Sequence, residues 1–170
     1  MDMIIQREET EDWFKDHPHC HDLLRQGYRE AISDMTGSVL SDPRSSRNSH
    51  IVNNDFVSNP GYFMGFEALP DQRLFVLSCI YVFPQYRKMG FGAHLINSSK
   101  SLVRDQAAIQ VAVEEEKLPV LDAYYRRHDF KTTGTLRKNL LGRGYVDYFW
   151  SAKKIELIDL PNATIVKPIN

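Results

Sequence analysis

The stretch Ile80-Tyr81-Val82-Phe83-Pro84-Gln85-Tyr86-Arg87-Lys88-Met89-Gly90-Phe91-Gly92-Ala93-His94-Leu95-Ile96 decides the fold of this chain. An apolar strand runs into a short turn that holds Pro84 and the basic residues Arg87 and Lys88. Two glycines follow, Gly90 and Gly92, and an amphipathic helix then begins. This order gathers free backbone N–H groups, the positive end of a helix and two cationic side chains around one point, an arrangement that binds phosphate. Glycine lets a pyrophosphate approach the main chain because no Cβ stands in the way. A Rossmann or P-loop nucleotide site fits poorly, since there is no third spaced glycine and no Gly-Lys-Ser/Thr.

Working outward, Ile4 and Ile5 suggest a first strand, and Thr10 can cap a helix through Glu11–Lys15. Asp16-His17-Pro18 interrupts it, because a residue before proline avoids the helical region, and Pro18 suits the first turn of a second helix. Leu24, Tyr28, Ala31 and Met35 give that helix one apolar stripe, and Gly37 ends it. The polar, turn-rich residues 36–50 read as a mobile surface loop. Strands are expected over 50–57, 61–68 and 73–83 as an antiparallel meander, with turns at Ser58-Asn59-Pro60-Gly61 and Pro70-Asp71. After the glycines come a helix burying Leu95, Ile96, Leu102 and Val103, and a strand over 107–113 parallel to the one ending at Phe83. A helix over 118–128 presents Leu118, Leu121, Tyr125 and His128 on one side. Phe130 opens a further strand, and Gly142-Arg143-Gly144 turns the chain into another over 145–152, while 157–170 is a tail or an extra strand.

At 170 residues, with 42% hydrophobic and 25% charged residues, the chain suits one soluble domain. A net charge of −1 gives no overall basicity for nucleic acid, so the acidic run 2–16 and the basic run 126–143 read as solvated surface. Two cysteines far apart, Cys20 and Cys79, suggest no disulfide scaffold, and Cys79 reads as core. The first residues lack the apolar centre of a signal peptide and no apolar run reaches membrane-spanning length, so the expectation is a cytoplasmic protein with no membrane partner. His17-Pro18-His19-Cys20-His21 matches no standard zinc spacing and reads as surface histidines at a helix start, with no metal site expected. His94 and His128 read as helix-surface or packing residues.

The pattern Arg87-x-x-Gly90-x-Gly92-Ala93, with Val82 and Pro84 before it and Leu95 and Ile96 after it, resembles the acyl-CoA-binding motif of the GNAT family of N-acetyltransferases. The element order β-α-α-β-β-β-α-β-α-β-β over residues 3–152 is similar to that family's order. The resemblance implies an α/β class with a GNAT-like acyl-CoA N-acyltransferase fold, a central mixed β-sheet with helices on both faces, in a single domain over 1–170. It implies acetyl-CoA as donor substrate and a primary amine, on a small molecule or a protein, as acceptor; a homodimer is compatible with it. Carried over by position, the amide of Ile80 would polarise the thioester, Tyr81 and Val82 would lie along the pantetheine arm, and Arg87, Lys88, Met89, Gly90, Phe91, Gly92 and Ala93 would hold the pyrophosphate.

For the leaving thiolate, the family's Tyr-x-x-x-Gly-Phe pattern is similar to Tyr125-Arg126-Arg127-His128-Asp129-Phe130, with Tyr125 as acid and Asp129 in place of glycine. Leu118 stands where the family often has asparagine. Some members carry a glutamate in the strand before the loop, where this chain has Val76. The first candidate for the base is then Glu114, at the end of the parallel strand, because strand C-termini point into such clefts; Glu67 is the second. The absent strand carboxylate also feeds a rival reading, a catalytically degenerate acyl-CoA-binding or protein-interaction module.

Overall fold

A computed structural model describes residues 1–31, 48–140 and 142–170. The chain is a mixed α/β structure with a central mixed sheet flanked by helices. Two compact units divide it, one of residues 1–67 and 77–95, the other of 68–76 and 96–170.

In the first unit, β1 (Asp2–Ile5), β2 (Ser49–Asn53), β3 (Tyr62–Leu69) and β4 (Leu74–Val82) lie in sequence order, and β1–β2 and β2–β3 are antiparallel. Helices α1 (Thr10–Asp16) and α2 (Pro18–Ala31) precede β2. Proline opens α2 as the sequence suggests. Thr10 does not cap α1: its hydroxyl donates to the Gln6 carbonyl at 2.9 Å, and Glu9 precedes the helix. The expected continuation of α2 through Met35 to Gly37 lies outside the described residues, as does the loop reading of 36–50 up to residue 47; its last residues, Ser49 and His50, open β2 instead.

The strand expected over 50–57 stops at Asn53 because its side chain takes over the backbone groups beyond. Asn53 Oδ1 accepts from the amides of Gly61 and Tyr62 at 2.8 and 3.1 Å, while its Nδ2 donates to Asp55 Oδ1 and the Asn59 carbonyl. An asparagine that satisfies a turn in this way competes directly with a strand ladder.

The core of this unit gathers Ile5, Phe14, Leu24, Tyr28, Val52, Phe56, Phe63, Tyr81 and Phe83, with both cysteines buried among them. Within it runs a polar chain the sequence did not announce. Ser78 Oγ donates to Asn48 Oδ1 at 2.9 Å, Asn48 Nδ2 donates to Tyr28 Oη at 3.0 Å, and Tyr28 Oη lies 2.8 Å from His50 Nε2. A Cβ on Gly65 would stand 1.9 Å from the Tyr28 hydroxyl, so only glycine fits beside it.

In the second unit the start of β4 adjoins β5 (Ala108–Glu114), where the Ala108 amide donates to the Arg73 carbonyl at 2.9 Å. β5 pairs antiparallel with β7 (Gly144–Trp150), and β7 with the two-residue β6 (Arg137–Lys138). The strand expected from Phe130 reduces to one bridge, Lys131 with Phe149, followed by a polar, glycine-containing segment. The second part of α3 (Phe91–Val103) and α4 (Leu118–Arg127) complete this unit's helices. The tail forms its own hairpin, β8 (Ile155–Asp159) with β9 (Thr164–Pro168). Arg137 ties it down, donating to Asp159 Oδ1 and the Leu160 and Pro161 carbonyls. Arg126 and Arg143 of the basic run pair with Asp122 and Glu116.

His50 is fully buried, and burial pushes its imidazole down to about 3. The unfolded chain gains a proton there below the ordinary histidine value of ~6.5, which the folded chain cannot hold. Stability is therefore complete above about pH 6.5 and falls on acidification by ~1.4 kcal/mol per pH unit from this group. Urea unfolding at pH 7.5 and pH 5 should show a loss of ~2 kcal/mol attributable to His50, with a shallower pH dependence in His50→Gln. An equal slope in both proteins would remove His50 as the cause.

Candidate functional site

Strand β4 presents two faces. Phe75, Leu77, Cys79 and Tyr81 are buried, and Val76, Ser78, Ile80 and Val82 are half-buried, the period-two alternation of a strand. Ile80 and Val82 thus share a face, while the Tyr81 side chain packs against Phe63 and Phe83 at centroid distances of 5.7 and 5.1 Å. Its hydroxyl donates to Glu30, and burial first, then that carboxylate, pushes its pKa up to about 12.

Beyond β4 the chain turns over Pro84–Tyr86, where the Tyr86 and Arg87 amides donate to the Phe83 and Pro84 carbonyls. Lys88 at φ +64° and Gly90 at φ +86° are left-handed, and between them the loop reverses into α3. The His94 amide donates to the Gly90 carbonyl at 3.0 Å, so the amides of Phe91, Gly92 and Ala93 stand at the head of the helix with no helical acceptor. Lys88, Met89 and Gly90 are exposed, and a Cβ on Gly90 would meet nothing within 4 Å.

An aromatic and polar clasp fixes this helix start. The Phe91 ring stacks on Tyr62 at 4.8 Å, Tyr62 Oη donates to Asp2 Oδ1 at 2.6 Å, and His94 Nε2 lies 2.7 Å from Asp2 Oδ2. Burial, helped by the Asp2 carboxylate, raises the Tyr62 hydroxyl well above its ordinary range. Tyr86 bonds the Asn59 side chain and meets Phe91 edge-on. β1, β3 and the loop after β2 therefore hold the first turn of α3.

Arg87 does not extend over the glycine loop. Its Nε donates to the Val82 carbonyl at 2.9 Å, and its guanidinium lies 3.9 Å from Glu30 Oε2 and 5.5 Å from the Tyr81 ring centroid. Lys88 is the exposed cation of the loop itself.

In the second unit, Tyr125 is buried at 6% exposure among Tyr124, Phe130 and Tyr148. Asp129 takes φ +65° after α4, and the Phe130 amide returns to the Tyr125 carbonyl at 3.1 Å, so aspartate occupies the left-handed terminus usually given to glycine. Lys100 Nζ donates to the His128 carbonyl at 2.6 Å, over the Trp150 ring. Glu114 ends β5 half-buried, with Oε1 3.9 Å from Lys117 Nζ and Oε2 buried without a hydrogen bond among the described residues. Glu67, the alternative base, is half-buried on β3 in the first unit.

The histidines near Pro18 divide. His17 stacks on Trp13, and its Nδ1 lies 2.9 Å from the Trp13 carbonyl, but His21 is buried against Phe14, which the surface reading did not foresee. Among the described residues no group of three or more histidine, cysteine, aspartate or glutamate side chains is placed to hold a metal ion. Sequence reasoning missed Glu30: it occupies an outer position of α2, and nothing in the linear pattern brings it to Tyr81 and Arg87.

Gly90 allows a clean separation of conformation from contact. Gly90→Ala puts an L-residue at φ +86° over open space, so the protein should fold with a loss of ~1 kcal/mol, seen as a few degrees in thermal unfolding. An unchanged melting temperature would mean that the loop relaxes out of the left-handed region.

The sequence model of the acetyltransferase (GNAT) family matches residues 5–130. A search of curated protein sequences gives no match. Among solved structures the chain is similar to nourseothricin acetyltransferase, at 21% identity over 61% of this chain and 64% of that one, with a TM-score of 0.50. It is similar to the ribosomal-protein-S18-alanine N-acetyltransferase from Escherichia coli, at 17% identity over 88% and 92% of the two chains, with a TM-score of 0.56. It also resembles the Bacillus subtilis acetyltransferase in complex with CoA, at 15% identity over 76% and 91%, with a TM-score of 0.57. At such identities these structures share a fold, whereas the sequence match runs from Ile5, the last residue of β1, to Phe130. The chain belongs to the acetyltransferase (GNAT) family.

Proposed function

We propose that this protein moves the acetyl group of acetyl-CoA to a primary amine by direct attack on the thioester, as one cytoplasmic acetyltransferase domain over residues 1–170. One observation carries the reading. Gly90 stands left-handed, with open space where a Cβ would be, directly before three helix amides that have no helical acceptor. In a chain of an acetyltransferase family, that cradle fits a pyrophosphate, and Lys88 adds an exposed cation to it. The amides from Lys88 to Ala93 would hold the pyrophosphate, the backbone of Tyr81 and Val82 would pair with the pantetheine arm, and the Ile80 amide would stabilise charge on the thioester oxygen.

In the transfer, the amine nitrogen bonds to the carbonyl carbon while the carbon–sulfur bond breaks and sulfur keeps the electron pair. Tyr125 gives that sulfur its proton, and its packing against Phe130 and Tyr148 fixes the ring for the task. Glu114 takes the proton from nitrogen, directly or through water; its Oε2 makes no hydrogen bond among the described residues. The second reading, a binding module without catalysis, has one observation in its favour: β4 carries no carboxylate. Assaying the purified protein with a panel of amines separates the two, since acetyl-CoA binding without transfer would leave the module.

Gly90→Glu brings a carboxylate where the pyrophosphate would lie. Acetyl-CoA affinity measured by calorimetry should drop by about a hundredfold or more in a folded variant, beyond anything Gly90→Ala does. Equal affinity in wild type and folded Gly90→Glu would refute the cradle.

Tyr125→Phe should reduce turnover by ~10²–10⁴-fold with little effect on acetyl-CoA affinity, because only the departing sulfur needs the proton. Unchanged turnover would leave Tyr125 as a packing residue.

A further inference from the structure

On the surface of the first unit lies an open hollow of about 440 Å³, lined by Glu30, Ala31, Ile80, Tyr81, Val82 and Arg87. That volume suits a small ligand rather than a folded partner. Ile80 and Val82 belong to the strand that the proposed function gives to the acyl donor. Glu30 stands at the end of α2 with each oxygen held by a different donor: Gln26 Nε2 to Oε1 at 3.1 Å, and the Tyr81 hydroxyl to Oε2. Both oxygens keep further acceptor capacity, and the carboxylate is oriented before any ligand arrives. The Tyr81 hydroxyl chiefly, then Gln26, hold the Glu30 carboxyl below its ordinary range, so it is ionised at neutral pH.

The chain's own cation shows what this corner accepts. The Arg87 guanidinium lies 3.9 Å from Glu30 Oε2 and 5.5 Å from the Tyr81 ring centroid, between a carboxylate and an aromatic face. Its Nε is bonded to the Val82 carbonyl, a group that a pantetheine arm running along β4 would itself engage.

We propose that Glu30, with the Tyr81 ring, is the specificity-determining cation seat for the acceptor, and that the acceptor is a small alkylamine positively charged at neutral pH. The inference rests on the acyl-CoA reading. The donor arm takes the Val82 carbonyl, Arg87 turns to the pyrophosphate, and the ammonium of the acceptor enters the place Arg87 leaves. The seat is then built only after the donor binds, and it selects charge: an arylamine, neutral at pH 7, gains nothing from Glu30.

The test is Glu30→Gln in the full chain, a change that leaves an oxygen for the Tyr81 hydroxyl. Acetyl transfer is followed with 1,4-diaminobutane and with aniline, and acetyl-CoA affinity is measured by calorimetry. The KM for 1,4-diaminobutane should rise about tenfold or more, and Glu30→Asp should recover part of it. The kcat/KM for aniline and the acetyl-CoA affinity should stay within about twofold. An unmoved KM for the diamine, an equal loss with both amines, or no diamine binding to the CoA-saturated wild type would each overturn the assignment. Wild-type protein that binds no acetyl-CoA overturns the acyl-CoA reading and this inference with it. Normal acetyl-CoA binding with an unmoved diamine KM overturns the Glu30 seat alone.

Discussion

Tyr81 lies against α2 at a point where there is no spare volume. A Cβ on Gly27 would come within 2.4 Å of the Phe63 ring and 2.9 Å of the Tyr81 ring, so the helix rests its glycine directly on two strand aromatics. This contact fixes the face of β4 that is buried, and by the period of two it fixes the face that stays half-open. Phe75, Leu77, Cys79 and Tyr81 turn inward, and Val76, Ser78, Ile80 and Val82 turn the other way. The end of α2 comes to rest beside the same strand, which brings the Glu30 carboxylate to the Tyr81 hydroxyl. A strand with one closed face and one half-open face can serve both a core and a ligand.

The loop after β4 depends on a second constraint, the cost of left-handed backbone. Two such residues, Lys88 and Gly90, reverse the chain within a few positions, and only one of them is glycine. The clasp of Asp2, Tyr62, Phe91 and His94 holds the turn that follows. It draws on β1, β3 and α3 at once, so the helix amides are oriented before a ligand is present. Preorganisation of this kind lets a dipolar site stabilise charge without rearranging during the reaction.

Buried polar groups make the same argument from the inside. The Ser78–Asn48–Tyr28–His50 chain joins β4, α2 and β2, and each member is bonded to the next. Burial keeps the imidazole neutral, and the Tyr28 hydroxyl excludes a side chain at Gly65. In the second unit, Arg137 does a comparable job for the β8–β9 hairpin. The basic run that reads as plain solvated charge thus includes one arginine whose side chain is nearly closed off, at 9% exposure.

The sequence by itself determined the order of elements, the alternation along β4, the glycine loop and the helix that follows it. All of these rest on local rules, hydrophobic period and backbone sterics, that a linear string displays. It also gave the family, because Arg87, Gly90, Gly92 and Ala93 lie within one short segment. Tertiary structure decided what depends on residues far apart in the chain. It ended β2 at Asn53 through bonds to Gly61 and Tyr62, and it reduced the strand expected from Phe130 to a single bridge. It buried His21 and His50, and it turned Arg87 away from the loop toward Val82 and Glu30. Glu30 and Tyr81 are 51 positions apart, and neither residue type nor spacing marks them as partners. A side chain's hydrogen-bond partners and burial come from the elements packed around it, and no local period encodes them.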